Sequence, residues 1–258
     1  MNLFKKLLGR TDAADVEAPG SFDAPLAPDA PFFVIGDIHG ALKPFHELLH
    51  VIEQVEERPT VVCVGDYIDR GDQSGQILSL LKRLTDEFPE LFHCLRGNHE
   101  QMCLDFLDRP DEAGARWLRH GGLQTLASYG IGRRSDDTMA GRRDKLAEAM
   151  GPELIAWLRD LPLQWQSGNV AVVHAAADPA LPIDRQQPRT LMWGHSDFAN
   201  RVRQDGIWVV HGHTIVKEPH AENGRIAIDT GAYATGTLSG AYIAANDLVF
   251  IDQSLPID

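Results

Sequence analysis

Three cysteines in 258 residues, Cys63, Cys94 and Cys103, are too few for a disulfide framework, and no C-x-x-C pair offers a zinc spacing. Each lies within or just after an apolar run, so they read as buried thiols of a reducing compartment, and a cytoplasmic protein is expected. Positive charge is scarce as well. The 24 Lys and Arg against 37 Asp and Glu leave a formal charge of −13, which speaks against nonspecific nucleic-acid binding through a basic surface. An anionic substrate stays open, because bound cations invert the local field. There is no run of 18 apolar residues to cross a bilayer as a helix. A Gly-rich Walker sequence and a G-x-S-x-G elbow are also missing, so neither a P-loop nor a serine triad has support.

The N-terminal stretch is poor in structure-forming residues. MNLFKKLLGR at 1–10 lacks the apolar core and small-residue cleavage site of a signal peptide, and no export is expected. A short amphipathic helix that meets a membrane or a partner is a reading of this segment, with a frayed helix as the default. Residues 11–30, rich in Ala, Asp and Pro, carry almost no large apolar side chains to offset the entropy of ordering. The expectation is a flexible lead-in over 1–30 and one domain over 31–258.

From Pro31 strand and helix signals alternate. FFVIGD is an apolar run stopped by Gly-Asp; LKPFHELLHVIEQV has apolar residues at helical spacing; TVVCVGD is a second run ending in Gly-Asp. GQILSLLKRLTDEFP repeats the helical period, LFHCLRGNHE ends a third strand, and NVAVVHAAAD, GIWVVHGHT, GRIAIDTG and GAYIAANDLVFID supply later ones. Residues 101–165 read as mostly helical, with Trp117, Leu118, Leu123, Leu126, Trp157 and Leu158 as packing residues and a polar stretch at 130–144. The expected fold class is α/β: a two-sheet αββα sandwich with this helical insert capping one side of the site.

The chemistry sits at the strand ends, in Gly36-Asp37-Ile38-His39-Gly40, Gly65 to Gly71 (GDYIDRG), Arg96-Gly97-Asn98-His99-Glu100, His174 and His211-Gly212-His213-Thr214. One Gly-Asp pair is an ordinary turn. Five polar clusters, each after an apolar run, fit a crevice at the carboxyl ends of strands, where turns aim side chains at ligands. Two Asp, one Asn and three His suffice for two divalent ions, since carboxylate, imidazole and amide oxygen suit hard and borderline cations.

These motifs resemble the calcineurin-like metallophosphoesterases, in particular the phosphoprotein phosphatase branch with its bacterial and phage serine/threonine phosphatases, over about residues 32–250. The lesser segments Trp117-Leu118-x-x-Gly121-Gly122, Ser128-Tyr129-Gly130, Leu191-Met192-Trp193 and Ile228-Asp229-Thr230-Gly231 look like the bacterial members. The resemblance implies that Asp37, His39 and Asp66 hold one metal and that Asp66, Asn98, His174 and His213 hold the other, with Asp66 bridging. Manganese fits the donors; iron and zinc fit them too. Two ions roughly 3.5–4 Å apart can share a hydroxide that attacks phosphorus in line. A poor leaving group must be protonated as it departs, which points to His99 as general acid with Asp69 orienting its imidazole. Arg70 and Arg96 offer forked donors to the nonbridging oxygens.

Other residues draw plainer expectations. His46, His50, His93, His120 and His220 read as surface or loop histidines; His211 is a candidate for a contact to a ligand from behind. Glu100 either orients its turn or is an ordinary helix-start carboxylate. Two departures from the family pattern stand out: Ala175-Ala176-Ala177 after His174, and His195 where the bacterial relatives tend to carry a phosphate-binding arginine two residues after the Trp. His195 is the candidate for that role, with Arg189, Arg201 and Arg203 as substitutes. The favoured function is hydrolysis of phosphoserine or phosphothreonine in proteins. The runner-up is hydrolysis of a phosphoanhydride such as diadenosine tetraphosphate, and a noncatalytic scaffold is disfavoured because the full ligand set is present. A phosphoprotein or small phosphorylated substrate is thus the expected partner, without nucleic acid.

Overall fold

A computed structural model describes residues 22–55, 59–132 and 138–254. Two five-stranded mixed sheets stack face to face. The first has the order β10-β9-β1-β2-β3, built from β1 (Phe32–Ile35), β2 (Thr60–Cys63), β3 (Phe92–Cys94), β9 (Ser239–Ala244) and β10 (Asp247–Asp252). The second has the order β4-β5-β6-β8-β7, built from β4 (Gln164–Ser167), β5 (Val170–Val173), β6 (Trp208–His211), β7 (His220–Glu222) and β8 (Arg225–Ala227). Strands β1, β2 and β3 are mutually parallel, as are β5, β6 and β8, and the antiparallel strands lie outside them. The expected αββα sandwich is therefore present. The short edge strands β4 and β7 escaped the sequence reading; β7 is exposed at every residue and carries no apolar alternation.

The side-chain period of two explains the layers. Phe32 and Val34 of β1 point between the sheets, where they meet Val62, Val64, Val170, Val172, Val210 and Ile226. Phe33 and Ile35 point the other way, into helices α1 (Leu42–Glu53) and α2 (Ser74–Glu87) through Phe45, Leu48, Ile77 and Leu78. Truncating such a side chain to Ala costs roughly 2–5 kcal/mol. On the far face of the second sheet, Ala171, Val173 and Val209 are covered by Ile183, Leu191 and Phe198, from a short helix α7 (Pro188–Trp193) and loops. The three cysteines are buried and unpaired, as expected.

The insert comprises α3 (Asn98–Asp108), α4 (Pro110–Trp117), a π turn at Leu118–Gly122, α5 (Leu123–Ser128) and α6 (Met139–Asp160), the last kinked at Gly151 before Pro152. Trp117, Leu126 and Leu158 are buried in it, but Leu123 is exposed, against expectation: it opens α5 on the face turned away from the core. Part of the 130–144 polar stretch, 133–137, lies outside the described residues.

Residues 22–30 correct the expected lead-in. The Phe22 ring meets Trp208 edge-on at 4.9 Å, and Leu26 is buried. Asn169 accepts from Ala27 N and donates to Pro25 O, both at 2.8 Å, and Gly168 N donates to Asp29 at 2.8 Å. The β4–β5 turn thus supplies hydrogen bonds that composition could not foretell, and the ordered domain begins by Phe22. Residues 1–21 lie outside the described residues. No described helix is long and apolar enough to cross a membrane.

Candidate active site

The loops that leave β1, β2, β3, β5 and β6 converge at the carboxyl ends of the parallel strands. Seven non-glycine residues among those described have positive φ, and five of them are here: His39, Asp66, Asp69, Arg70 and His213. Such backbone costs about 1–3 kcal/mol per residue and persists only where the surroundings enforce it. One enforcer is Glu100. Its buried carboxylate accepts from the backbone N–H of Asp66 and Tyr67 at 2.8 Å, of Gly97 at 2.9 Å and of Ile68 at 3.4 Å. It ties the β2 loop to the start of α3, so Glu100 orients the turn; burial, with Asp66 nearby, pushes its carboxyl up to about 7. Glycine is required where loops touch: a Cβ at Gly97 would overlap Asp66, and one at Gly212 would overlap Asp37.

Six predicted metal ligands meet around Asp66. His39 Nε2 is 3.5 Å from Asp66 Oδ2, and His174 Nε2 is 3.4 Å from Oδ1. His39 Nδ1 donates to Ile68 O at 2.7 Å and His174 Nδ1 to Val64 O at 3.2 Å, which leaves each Nε2 as a lone pair turned to the centre. Burial pushes His39 down to about 3 and His174 down to about 4, so both imidazoles are neutral at pH 7. Asn98 Oδ1 stands 2.9 Å from both His174 Nε2 and His213 Nδ1. Asp37 accepts from His213 N at 3.1 Å, and burial, together with the charges of Asp229 and Asp66, holds its carboxyl well above the usual range.

This donor set fits cations on its own chemistry. Buried carboxylates, an amide oxygen and imidazole lone pairs face one another at distances where no proton satisfies them all. Two clusters, His39–Asp66–His99 and Asp66–His174–His213, each bring ligand atoms within 4.8 Å of one another, and both contain Asp66. Asp229, present in the sequence reading only within the Ile228–Gly231 segment, lies beside Asp37 and accepts from Gly231 N at 2.8 Å; burial raises its carboxyl to about 6.

Beside the cluster lies a hydrogen-bonded His–Asp pair. His99 Nδ1 is 2.6 Å from Asp69 Oδ2, and its Nε2 faces the centre, 3.8 Å from Asp66 Oδ2. The fully buried Asp69 is clamped from the insert: Trp117 Nε1 donates to its two oxygens at 2.9 and 3.1 Å, and Thr125 Oγ1 donates to Oδ1 at 2.6 Å. Burial works against a charged His99, but Asp66 and Asp69 outweigh it and raise its pKa. Trp117 appeared in the sequence as a packing residue and in the family-like segment Trp117–Gly122, with no contact to Asp69 expected, and Thr125 not at all; the nearby GG of LRHGG was the visible trace of a close approach, since Gly121 O accepts from Arg70 N.

The three expected phosphate ligands part company. Arg70 Nη2 sits 3.3 Å from His99 Nε2, at the mouth of the centre. Arg96 does not reach it. Its guanidinium donates to the carbonyls of Arg159 and of Leu161 and to Gln101 Oε1, bracing the end of α6 against the β3 loop. His195 also turns elsewhere, with Nε2 3.6 Å from Asp178 Oδ2 and Nδ1 accepting from Asp197 N at 3.3 Å. The substitute Arg203 is buried and donates to Asp178 O at 2.9 Å and Leu181 O at 3.0 Å, a loop brace. His211 rests edge-on against Phe198 at 5.0 Å, and its Nδ1 is 3.0 Å from Gly212 O, so it supports the backbone of the His213 loop.

A sequence profile described as calcineurin-like phosphoesterase matches residues 30–217. The chain belongs to the calcineurin-like phosphoesterase family. It is 26% identical over 248 residues to a bis(5'-nucleosyl)-tetraphosphatase (asymmetrical) of Oceanobacillus iheyensis, which covers 86% of this chain and 92% of that one. A symmetrical bis(5'-nucleosyl)-tetraphosphatase of Chromobacterium violaceum is 30% identical over 155 residues, 59% of this chain and 46% of the relative. The fold is shared with the cold-active protein-tyrosine phosphatase of a psychrophilic Shewanella sp., at a TM-score of 0.58 and 17% identity over 90% of this chain and 82% of that one. The chain is thus a metallophosphoesterase, a hydrolase of a family that uses a dinuclear metal centre, and its clustered His and Asp residues could bind metals.

Proposed function

We propose that this phosphoesterase hydrolyses a dinucleoside tetraphosphate at a phosphoanhydride bond, the runner-up of the sequence reading. The observation that carries this is the extent of the likeness to the asymmetrical tetraphosphatase, which runs through nearly the whole of both chains. Loops outside the motif core are thereby included. The likeness in sequence to a putative serine/threonine-protein phosphatase of Caenorhabditis elegans, 40% identical, is confined to 72 residues, 28% of this chain.

Asp37, His39, Asp66, Asn98, His174 and His213 are the residues to hold two divalent ions, with manganese as the first choice for these donors. Such ions neutralise phosphate oxygens and bring the pKa of a water towards neutrality. The chain's own groups do the rest. Arg70 donates to the nonbridging oxygens. His99 gives its Nε2 proton to the departing oxygen, and Asp69, fixed by Trp117 and Thr125, keeps that imidazole charged and aimed.

A specific observation favours a second reading, hydrolysis of phosphoserine or phosphothreonine. A nucleotide leaving group needs little protonation, whereas an alkoxide needs it badly, and the clamped Asp69–His99 pair is built for the harder case. Steady-state turnover of manganese-loaded protein on diadenosine tetraphosphate, a phosphoserine peptide and an aryl phosphate separates the two. The proposal expects the tetraphosphate to have the highest kcat/KM, with mono- plus triphosphate as products. A phosphopeptide that outpaces it overturns the proposal in favour of the second reading.

A further inference from the structure

Isolated exposed apolar residues are normal on a protein surface, but a pair at the mouth of a charged site calls for a ligand. Four large apolar side chains among the described residues are exposed, and two of them, Ile215 at 49% and Tyr233 at 38%, sit on the loops that carry His213 and Asp229. The loops are joined by Val216 N donating to Asp229 O at 2.8 Å. Ile215 lies over Gly231, whose φ of 68° starts the short helix α8 (Ala232–Thr235). That left-handed turn sends Tyr233 towards the metal cluster, where its ring stands edge-on to His39 at 5.3 Å. The Arg70 guanidinium lies over the same ring, 5.0 Å from its centroid. A phosphate-directed cation, a half-exposed aromatic ring and an aliphatic side chain therefore form one continuous rim.

We propose that Tyr233, flanked by Ile215, is the platform on which a nucleobase of the substrate stacks while Arg70 holds the adjoining phosphate. The inference rests on the tetraphosphate reading and deepens it: it locates the nucleoside recognition that separates such a substrate from a bare phosphoester. Every base has a π-face, so stacking on Tyr233 accepts purines and pyrimidines alike, more strongly for the larger purine surface. The Arg70–ring contact couples the two halves, because a guanidinium held against the ring presents its donors at a fixed place.

The test is calorimetric binding of a matched, hydrolysis-resistant pair, α,β-methylene-ADP and methylenediphosphonate, to manganese-loaded protein. The ratio of their affinities isolates the nucleoside and cancels a general effect on phosphate binding. In the native protein the nucleotide should bind about tenfold more tightly. Tyr233→Phe should keep that ratio, and Tyr233→Ala and Tyr233→Leu should bring it close to one; Tyr233 is exposed enough that all three should fold. A native ratio near one, absent binding of both ligands, or a ratio that survives Tyr233→Ala overturns the platform. Turnover is read separately: a ratio that collapses as expected in a protein inactive on diadenosine tetraphosphate leaves the nucleoside platform standing and removes the tetraphosphate reading.

Discussion

The loops of the first sheet reach Asp66 with their backs braced: Glu100 gathers four backbone N–H groups beneath it, and the insert fixes Asp69 through Trp117 and Thr125. The loops of the second sheet bring His174 and His213 to the same carboxylate, while the stretch beyond α7 turns inward on itself, His195 to Asp178 and Arg203 to the carbonyls of the 178–181 loop. The proposed proton donor and phosphate ligand, His99 and Arg70, thus belong to one side, and the other completes the metal-facing donor set and builds the apolar rim. Substitutions on the two sides should differ accordingly.

The largest contrast expected is at His99. His99→Asn should lower turnover of an alkyl phosphate by about 10²–10⁴-fold and that of an aryl phosphate with a good leaving group far less. Equal losses on both would move His99 into the metal set, where its proximity to Asp66 also allows it. Next comes the brace. Glu100→Ala leaves buried N–H groups without an acceptor, which costs about 3 kcal/mol. Thermal unfolding should then start lower by roughly 6–12 °C for a chain of this size; an unchanged Tm would mean that the β2 loop holds its strained backbone by other means. Trp117→Phe keeps the ring stacked on Phe106 and removes one donor from Asp69. Turnover of poor leaving groups should fall by about tenfold, the equivalent of one hydrogen bond to a charged group. Smallest of all, His195→Ala and Arg96→Ala should leave KM unchanged while Arg70→Ala raises it. A clear KM effect at His195 would break the comparison and return phosphate binding to the second sheet.

Much of this was legible in the chain. Strand cores are continuous apolar runs, and a motif such as GDYIDRG announces a tight turn with its polar load in consecutive residues, so the sandwich and the donor set could be read directly. The misreadings share a cause: a motif fixes which residues enter a loop but not where each side chain turns. Arg96 is adjacent to Gly97 and Asn98 in sequence, yet it follows β3 with its side chain on the face towards the end of α6. His195 follows Gly194, which has a φ of 97°, and its ring is taken up by Asp178 and Asp197. Trp117 and Asp229 stood in family-like segments and Thr125 in none, but what each touches is set by long-range contacts that no local pattern shows. Tyr233 drew no expectation from the sequence, and the docking of residues 22–30 depends on partners more than a hundred positions away.

The central claim is that both sides converge on Asp66 to hold two ions. Anomalous diffraction from crystals of the manganese-loaded protein tests it most directly. Two peaks are expected, both in contact with the Asp66 carboxylate, one also beside Asp37 and His39 and the other beside Asn98, His174 and His213, with loss of both in Asp66→Asn. A single peak, or two peaks of which one does not touch Asp66, would contradict it.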